Sequence, residues 1–435
     1  MNTINLLCNQ FDINPKIIQL IKKHELLLDS QFNELDDIKT FNHYKIINAM
    51  QQAKLDATHF GWTTGYGYDD VGREKVETIY ANVFKTEDAL VRPTIVSGTH
   101  ALSLSMAAVT RPGDEILSVT GTPYDTLQKV IGITGNEPGN LIEYGIAYNQ
   151  IDLIDKKTID IELINKKIND KTKLIIMQRS TGYSDRSAIA LEELKRAIKY
   201  LKSNYPDIII MIDNCYGEFV DYEEPSEYGA DLVVGSLIKN PGGGLALTGG
   251  YIVGKKIYIN EIANRSTAPG IGKECGLTFG TTRNTLQGLF MSPIVVNGAV
   301  KGSMLYASIF KELGYNVIPT VEEKRSDIIQ AIELNDPDKV IAFCKGIQSS
   351  SPVDSFVTPL PWDMPGYEED VIMAAGAFIQ GSSIELSADA PMRSPYYVYF
   401  QGGITFEHSK LGLMKALNEL LIKKHITIEQ IDKLL

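Results

Sequence analysis

From residue 74 to about residue 293, helical periodicity and short apolar runs of strand length take turns, and this alternation constrains the chain more than any other feature. Small residues at 101–109 read as a helix, 115–119 as a strand after the turn Arg111-Pro-Gly-Asp114, and 124–131 as a helix. An extended stretch at 141–148 follows, then a helix near 161–168, a strand over 173–178 and a helix over 191–202. Strands at 208–213, 232–235 and 251–253 complete the series. Alternating elements of this kind predict an α/β fold, a mainly parallel central sheet with helices on both faces. In such sheets ligands gather at the carboxyl ends of the strands, and that rule selects the residues to weigh.

Around this core, residues 1–60 read as a polar helical arm with Ile17, Ile18, Leu20 and Ile21 as its apolar stripe. The run Gly61-Trp-Thr-Thr-Gly-Tyr-Gly-Tyr68 breaks periodicity and reads as a loop. The expected domains are the arm, a large domain over 61–293, and a smaller C-terminal α/β domain over 294–435 to which the arm contributes. The 42 basic residues are outnumbered by 54 acidic ones, net −12, which gives no reason to expect nucleic acid or an anionic membrane as partner. Cys8, Cys215, Cys275 and Cys344 lie far apart with no CxxC pair, so neither a zinc site nor a disulfide framework is expected. The six histidines show no HxxxH spacing, and no metal site is predicted. The start of the chain lacks a basic stretch followed by a long apolar one, and no apolar run reaches membrane length. A soluble, cytoplasmic protein is expected.

Five local patterns carry chemistry. In Ser236-Leu-Ile-Lys-Asn-Pro-Gly-Gly-Gly244 a lysine follows a buried strand and precedes glycines. A desolvated Lys239 would lose proton affinity and become a nucleophilic amine able to form a Schiff base, although a surface lysine opening a loop has the same local pattern. The strand at 208–213 ends in Asp213, one loop and one strand before Lys239, so both reach the same sheet edge. An aspartate there could keep a pyridine nitrogen protonated or merely cap a turn. Ser97-Gly98-Thr99 enters a helix of small residues, where backbone N–H groups and hydroxyls make a phosphate cradle or an ordinary N-cap. Ser236 is a further candidate phosphate contact. Tyr124 could stack on a pyridine face or simply pack. Arg393, in Ala390-Pro-Met-Arg393-Ser-Pro, could clamp an α-carboxylate or form a structural ion pair.

Taken in order, these segments resemble the Cys/Met-metabolism branch of fold-type I pyridoxal-phosphate enzymes, which includes cystathionine β-lyase and methionine γ-lyase. More narrowly, the chain resembles the cystathionine-β-lyase-like subgroup involved in aluminium resistance. The resemblance runs from about Gly61 into the C-terminal domain and implies the aspartate-aminotransferase-like fold. It further implies that Ser97, Gly98 and Thr99 meet the cofactor phosphate and that Tyr124 stacks on the ring. By the same resemblance Asp213 pairs with the pyridine nitrogen, Lys239 forms the aldimine, and Arg393 holds the substrate carboxylate. An aromatic loop that reaches a neighbouring subunit's site is matched best by Tyr66 and Tyr68, which implies a homodimer or homotetramer. Two features depart from the lyases. They carry Ser-x-Thr-Lys followed by a tyrosine and Gly-His, where this chain has Ser236-Leu-Ile-Lys239-Asn-Pro-Gly. Their Tyr-x-Arg phosphate motif is not reproduced, Arg73 being out of register. Arg179 and Arg186, after the strand at 173–178, are either substrate contacts or surface charges.

The activity this resemblance implies is elimination from a sulfur-containing amino acid such as cystathionine, releasing a thiol, ammonia and an oxo acid. Another reaction of the same scaffold (aldolase, desulfurase or aminotransferase) shares the machinery, and a non-catalytic binding or resistance protein would share the fold. No strand is followed by the glycine fingerprint of a dinucleotide-binding oxidoreductase.

Overall fold

The computed structural model describes residues 3–364, 367 and 369–435. Two compact units divide the chain: one takes in residues up to Lys39 together with Ile294–Leu435, the other Thr40–Pro293. In chain order the helices are α1 Thr3–Gln10, α2 Pro15–Leu27, α3 Asp29–Gln52, α4 Val71–Val83, α5 Gly98–Val109, α6 Asp125–Ile131, α7 Ile161–Lys167, α8 Leu191–Asn204, α9 Lys256–Ser266, α10 Thr282–Glu312, α11 Pro337–Ser350, α12 Phe406–Ile422 and α13 Ile428–Leu434. Among the described residues no helix is long and apolar enough to cross a membrane.

The Thr40–Pro293 unit is built on seven strands: β1 Asp88–Arg92, β2 Glu115–Ser118, β3 Ala147–Gln150, β4 Thr172–Gln178, β5 Ile209–Asp213, β6 Leu232–Ser236 and β7 Gly250–Gly254. Their order across the sheet is β1-β7-β6-β5-β4-β2-β3. The pairs β2–β3, β2–β4, β4–β5 and β5–β6 are parallel, while β7 runs antiparallel to both β6 and β1. Strands β5 and β6 are buried at every position, as near-continuous apolar sequence in a sheet covered on both faces requires.

Alternate side chains feed two cores. Ile210, Ile212, Val233, Tyr251 and Val253 join one, beneath α4 and α8. Met211, Leu232, Val234 and Ile252 join the other, beneath α5 and α9. Each such residue fully buried contributes about 1.5–3 kcal/mol, which fixes the strand register because a one-residue slip would exchange the faces.

One expected strand is misplaced. Of the stretch 141–148, residues 141–146 are not extended: the Leu141 and Ile142 N–H groups donate to the Val130 and Ile131 carbonyls at the end of α6, closing the segment onto that helix. Only Ala147–Gln150 reaches the sheet, as edge strand β3.

In the other unit β8 Asn316–Ile318, β9 Gln330–Glu333, β10 Val371–Ala374, β11 Ser387–Pro391 and β12 Tyr397–Gln401 form an antiparallel sheet in the order β10-β11-β12-β9-β8. Helix α11 packs against α12, β10 and β11. The Tyr306 and Phe400 rings stack with centroids 3.6 Å apart. Ile17, Leu20 and Ile21 of α2 are buried, and α2 packs on α12.

Candidate active site

Parallel strands β4, β5 and β6 end together, so their last residues, Gln178, Asp213 and Ser236, share one edge. Gln178 is the register partner of Asp213, which pairs in turn with Val234. Asp213 is buried, and its Oδ1 accepts the Cys215 N–H at 3.1 Å. Burial raises its pKa, against the opposing pull of the Lys239 charge and the Cys215 hydrogen bond.

Lys239 stands three residues beyond β6, at the head of a 3-10 turn over Asn240–Gly242. Its Nζ lies 3.9 Å from the centroid of the Tyr216 ring. The sequence expectation was an amine made neutral by desolvation. Burial does lower its pKa, but Cys215, Tyr216, Asp213 and Tyr124 act in the opposite direction and prevail, holding it well above the ordinary lysine value. Of these, Asp213 supplies the negative charge, since burial keeps the Cys215 thiol and the Tyr124 phenol protonated. The free amine is therefore an ammonium ion paired electrostatically with Asp213. The following glycines serve chain packing rather than a ligand: a Cβ on Gly242 would lie 1.7 Å from the Leu237 carbonyl oxygen, and one on Gly243 2.4 Å from that of Gly288.

Helix α5 points its N-terminus at this edge. The Ser97 hydroxyl caps it by accepting the His100 N–H at 3.0 Å, so the N-cap and the cradle are the same structure. The first N–H groups of a helix have no intrahelical acceptor, which leaves those of Gly98 and Thr99 for an anion. A Cβ on Gly98 would sit 3.3 Å from Cys215 Sγ and 3.4 Å from Ser236 Cβ, which places the helix start directly over β5 and β6. Ser236 is buried, and its hydroxyl accepts the Ile238 N–H at 3.3 Å. Thr99 Oγ1 bonds the Tyr124 hydroxyl at 2.9 Å and Thr126 Oγ1 at 3.2 Å. Tyr124 is the N-cap residue of α6, and its backbone N–H donates to Gln178 Oε1 at 3.0 Å. Ser97, Gly98, Thr99, Tyr124, Asp213, Ser236 and Lys239 are thus brought into one cluster.

Other candidates lie elsewhere. Arg179 is fully buried, one residue past β4, with Nη1 donating to Asn214 Oδ1 and the Gly217 carbonyl, each at 2.9 Å, and 3.9 Å from Glu224. By alternation along β4 its side chain takes the face opposite Gln178 and Asp213. It is neither a surface charge nor on the side expected for a substrate contact. Arg186 donates to the Gln178 and Ser180 carbonyls and orders the loop after β4. Tyr66 and Tyr68 are 72% and 60% exposed, their rings paired at 5.5 Å. Arg73 is buried at the base of their loop, donating to the Gly67, Gly276 and Glu274 carbonyls. Arg393 belongs to the other compact unit, half exposed and 3.2 Å from Glu369.

Sequence reasoning passed over Gln178, Cys215, Tyr216 and Glu218. Strand-end position was available as a signal for Gln178. Tyr216 is discoverable only by knowing that it adopts φ 71°, a turn that throws its ring under Lys239.

A partly buried amine, a carboxylate at the same sheet edge and a helix start whose first N–H groups have no intrahelical acceptor suit a phosphorylated aromatic aldehyde with a basic ring nitrogen. Pyridoxal phosphate has those three groups. The close approach of α5 to β5 and β6 at Gly98 supplies the cradle such a phosphate needs.

Comparison with known proteins agrees with this chemistry. The family model for methionine gamma-lyase matches residues 17–421. A solved structure from Clostridium novyi, titled a carbon-sulfur lyase involved in aluminum resistance, is 48% identical, covers 97% of this chain and 100% of its own, and superposes with a TM-score of 0.93. The Bacillus subtilis protein YnbB is 46% identical over 413 residues, 94% of this chain and 98% of YnbB. The pyridoxal-5'-phosphate dependent protein YhfS of Escherichia coli, 16% identical, covers 88% of this chain and 97% of its own with a TM-score of 0.58. At that identity the likeness is one of fold, and the fold is the aspartate-aminotransferase-like type I fold of pyridoxal-phosphate enzymes.

Proposed function

This chain belongs to the methionine gamma-lyase family, and we propose from that premise that it is a pyridoxal-phosphate-dependent carbon–sulfur lyase acting on a sulfur-containing amino acid of the cystathionine, methionine or cysteine kind. The observation that carries the reading is the placement of Asp213 at the end of β5 and Lys239 just beyond β6, on the edge where α5 begins. Lys239 is the residue that would hold the cofactor covalently. When bound, the cofactor supplies an electron sink for the charge left at the substrate Cα.

The chain's own groups have separable tasks. Asp213 would keep a proton on the ring nitrogen, because a carboxylate beside a basic nitrogen favours its protonated form. The Gly98 and Thr99 N–H groups and the Ser97 and Ser236 hydroxyls would hold the phosphate. Tyr124, tethered through its hydroxyl to Thr99, offers a flat ring for stacking. Lys239 would also serve as the general base that takes the substrate Cα proton. With sulfur on Cβ the carbon–sulfur bond would then break with its electron pair on sulfur, a proton would make the thiol, and hydrolysis would yield ammonia and an oxo acid; with sulfur on Cγ a Cβ proton must leave as well before that bond breaks.

Arg393 is the candidate clamp for the substrate carboxylate, exchanging Glu369 for it. The exposed Tyr66 and Tyr68 suit a homodimer or homotetramer in which this loop completes a neighbour's site. Four unpaired cysteines suit a reducing cytoplasm.

The deciding experiment is the visible absorption spectrum of wild type and Lys239→Ala, before and after borohydride. A yellow wild-type band removed by borohydride, with no covalently trapped cofactor in the variant, is expected. Thiol and oxo-acid release from sulfur amino acids should follow. A wild type that stays colourless with added pyridoxal phosphate would refute the reading.

A further inference from the structure

A second carboxyl lies buried beneath the same sheet edge, on the face away from Asp213. Glu218 belongs to the turn that follows β5, between Tyr216 and Phe219, whose φ angles are 71° and 62°. Its Oε1 accepts the Tyr251 hydroxyl at 2.7 Å. Its Oε2 and the nearby Tyr80 hydroxyl are buried and have no hydrogen-bond partner. Tyr80 and Tyr251 face one another with ring centroids 6.0 Å apart. The Glu218 carbonyl accepts Asn240 Nδ2 at 3.0 Å, which ties this turn to the residue after Lys239. Strand β6 is bare where the carboxyl lies: a Cβ on Gly235 would stand 2.7 Å from Glu218 Oε1 and 2.5 Å from the Tyr251 ring. A polar group buried with one oxygen unsatisfied costs free energy, so its presence in the turn bonded to the residue after Lys239 calls for a reason.

We propose that Glu218 is a positioning residue for the Lys239 nitrogen, an ionisable counterpart to Asp213 that acts across the sheet edge and sets how tightly that nitrogen keeps its proton. This rests on the cofactor-holding role given to Lys239 above.

The groups that face Glu218 are Tyr251 from β7, Tyr80 from α4, and Cys215, Glu224 and Lys239. Lys239 is the cation among them, because Arg179 and Lys45 stand against Glu224. Burial pushes the Glu218 carboxyl up to about 8, with the Tyr251 hydrogen bond opposing. Glu218 is therefore neutral at neutral pH. At mildly alkaline pH it loses its proton and becomes a second anion within electrostatic reach of Lys239. Two carboxylates hold a proton on that nitrogen more tightly than one.

The test follows the visible band of the pyridoxal-phosphate-loaded enzyme from acidic to alkaline pH in wild type, E218Q and Y251F. E218Q keeps volume and an acceptor for Tyr251 but has no charge, and its band should titrate at a pH lower by about one unit. Y251F removes the hydrogen bond that favours the Glu218 anion and should move the midpoint the same way by less. Melting curves establish that each variant is folded, and Y251F decides the matter if E218Q is not. Folded, cofactor-loaded variants with the wild-type midpoint would leave Glu218 a packing role only and overturn the inference. A wild type with no band removes the proposed function and this inference together.

Discussion

The Lys239 nitrogen stands 3.9 Å from the centroid of the Tyr216 ring, and Tyr216 itself holds φ at 71°, a conformation uncommon for a non-glycine residue. A strained residue of this kind costs about 1–3 kcal/mol and persists where the surroundings over-determine it. Here the return is an aromatic face beneath a cation, worth about 0.5–2 kcal/mol.

Tyr216→Leu should therefore lower the rate of thiol release by about tenfold, the upper part of that range, while Tyr216→Phe keeps most of it. Steady-state assays on the two variants check the difference. Equal losses in both would assign the effect to the hydroxyl instead of the ring.

Asp213→Asn keeps the shape and the acceptor for the Cys215 N–H but abolishes the charge. Loss of the proton it holds in place should reduce turnover by about 10²–10⁴-fold, with cofactor still bound through Lys239. The melting temperature should fall as well, since the positive charge facing Asp213 is left without its carboxylate, and turnover is compared below the melting range of the variant.

Gly98→Ala separates cofactor affinity from stability. Gly98 is the first residue of α5, where alanine gains about 1 kcal/mol of helix propensity. Its Cβ would be tight against Cys215 Sγ at 3.3 Å, so the two effects offset. Melting should change by a degree or two at most, about the size of a few tenths of a kcal/mol. Affinity for pyridoxal phosphate, read from the visible band, should weaken by about tenfold because the phosphate loses its close approach to the backbone.

Arg179→Met tests a structural assignment. Removing the guanidinium leaves Glu224 buried with less compensation, a change that costs about 3–5 kcal/mol for broken buried pairs. Thermal melting should show this loss, while KM in the folded protein stays at the wild-type value. A raised KM with normal melting would restore the substrate-contact role.

The pH dependence of stability should carry the signature of Glu218. Its folded-state pKa is raised to about 8 from the ordinary 4.5, so the folded protein holds a proton that the unfolded chain has lost. Stability from this group is complete below pH 4.5, and declines as pH rises through the window up to about 8. Denaturant melts of wild type and E218Q across that window should show the variant gaining on wild type by a few kcal/mol, on the order of the shift converted at 1.36 kcal/mol per unit. Parallel pH profiles would contradict a buried neutral carboxyl.

What the sequence determined by itself is the architecture and the edge where the chemistry lies. Alternating periodicities and continuous apolar runs such as 209–213 leave few alternatives to a parallel sheet between helices. Because strand-end residues share an edge in such a sheet, Asp213 and Lys239 could be paired from spacing alone. Local pattern could not decide which face a residue takes. Arg179 follows Gln178 directly, yet one lies among Asn214, Gly217 and Glu224 while the other meets Tyr124, a difference set by strand register. Nor could it show that Tyr216 turns under Lys239, or that Gly235 clears space for Glu218 and Tyr251. Those relations join β5, β6 and β7 with the turn after β5, and they exist only once packing against both cores has fixed the register. Tertiary structure also decides which groups stand beside Lys239, and these oppose the effect of burial on its pKa.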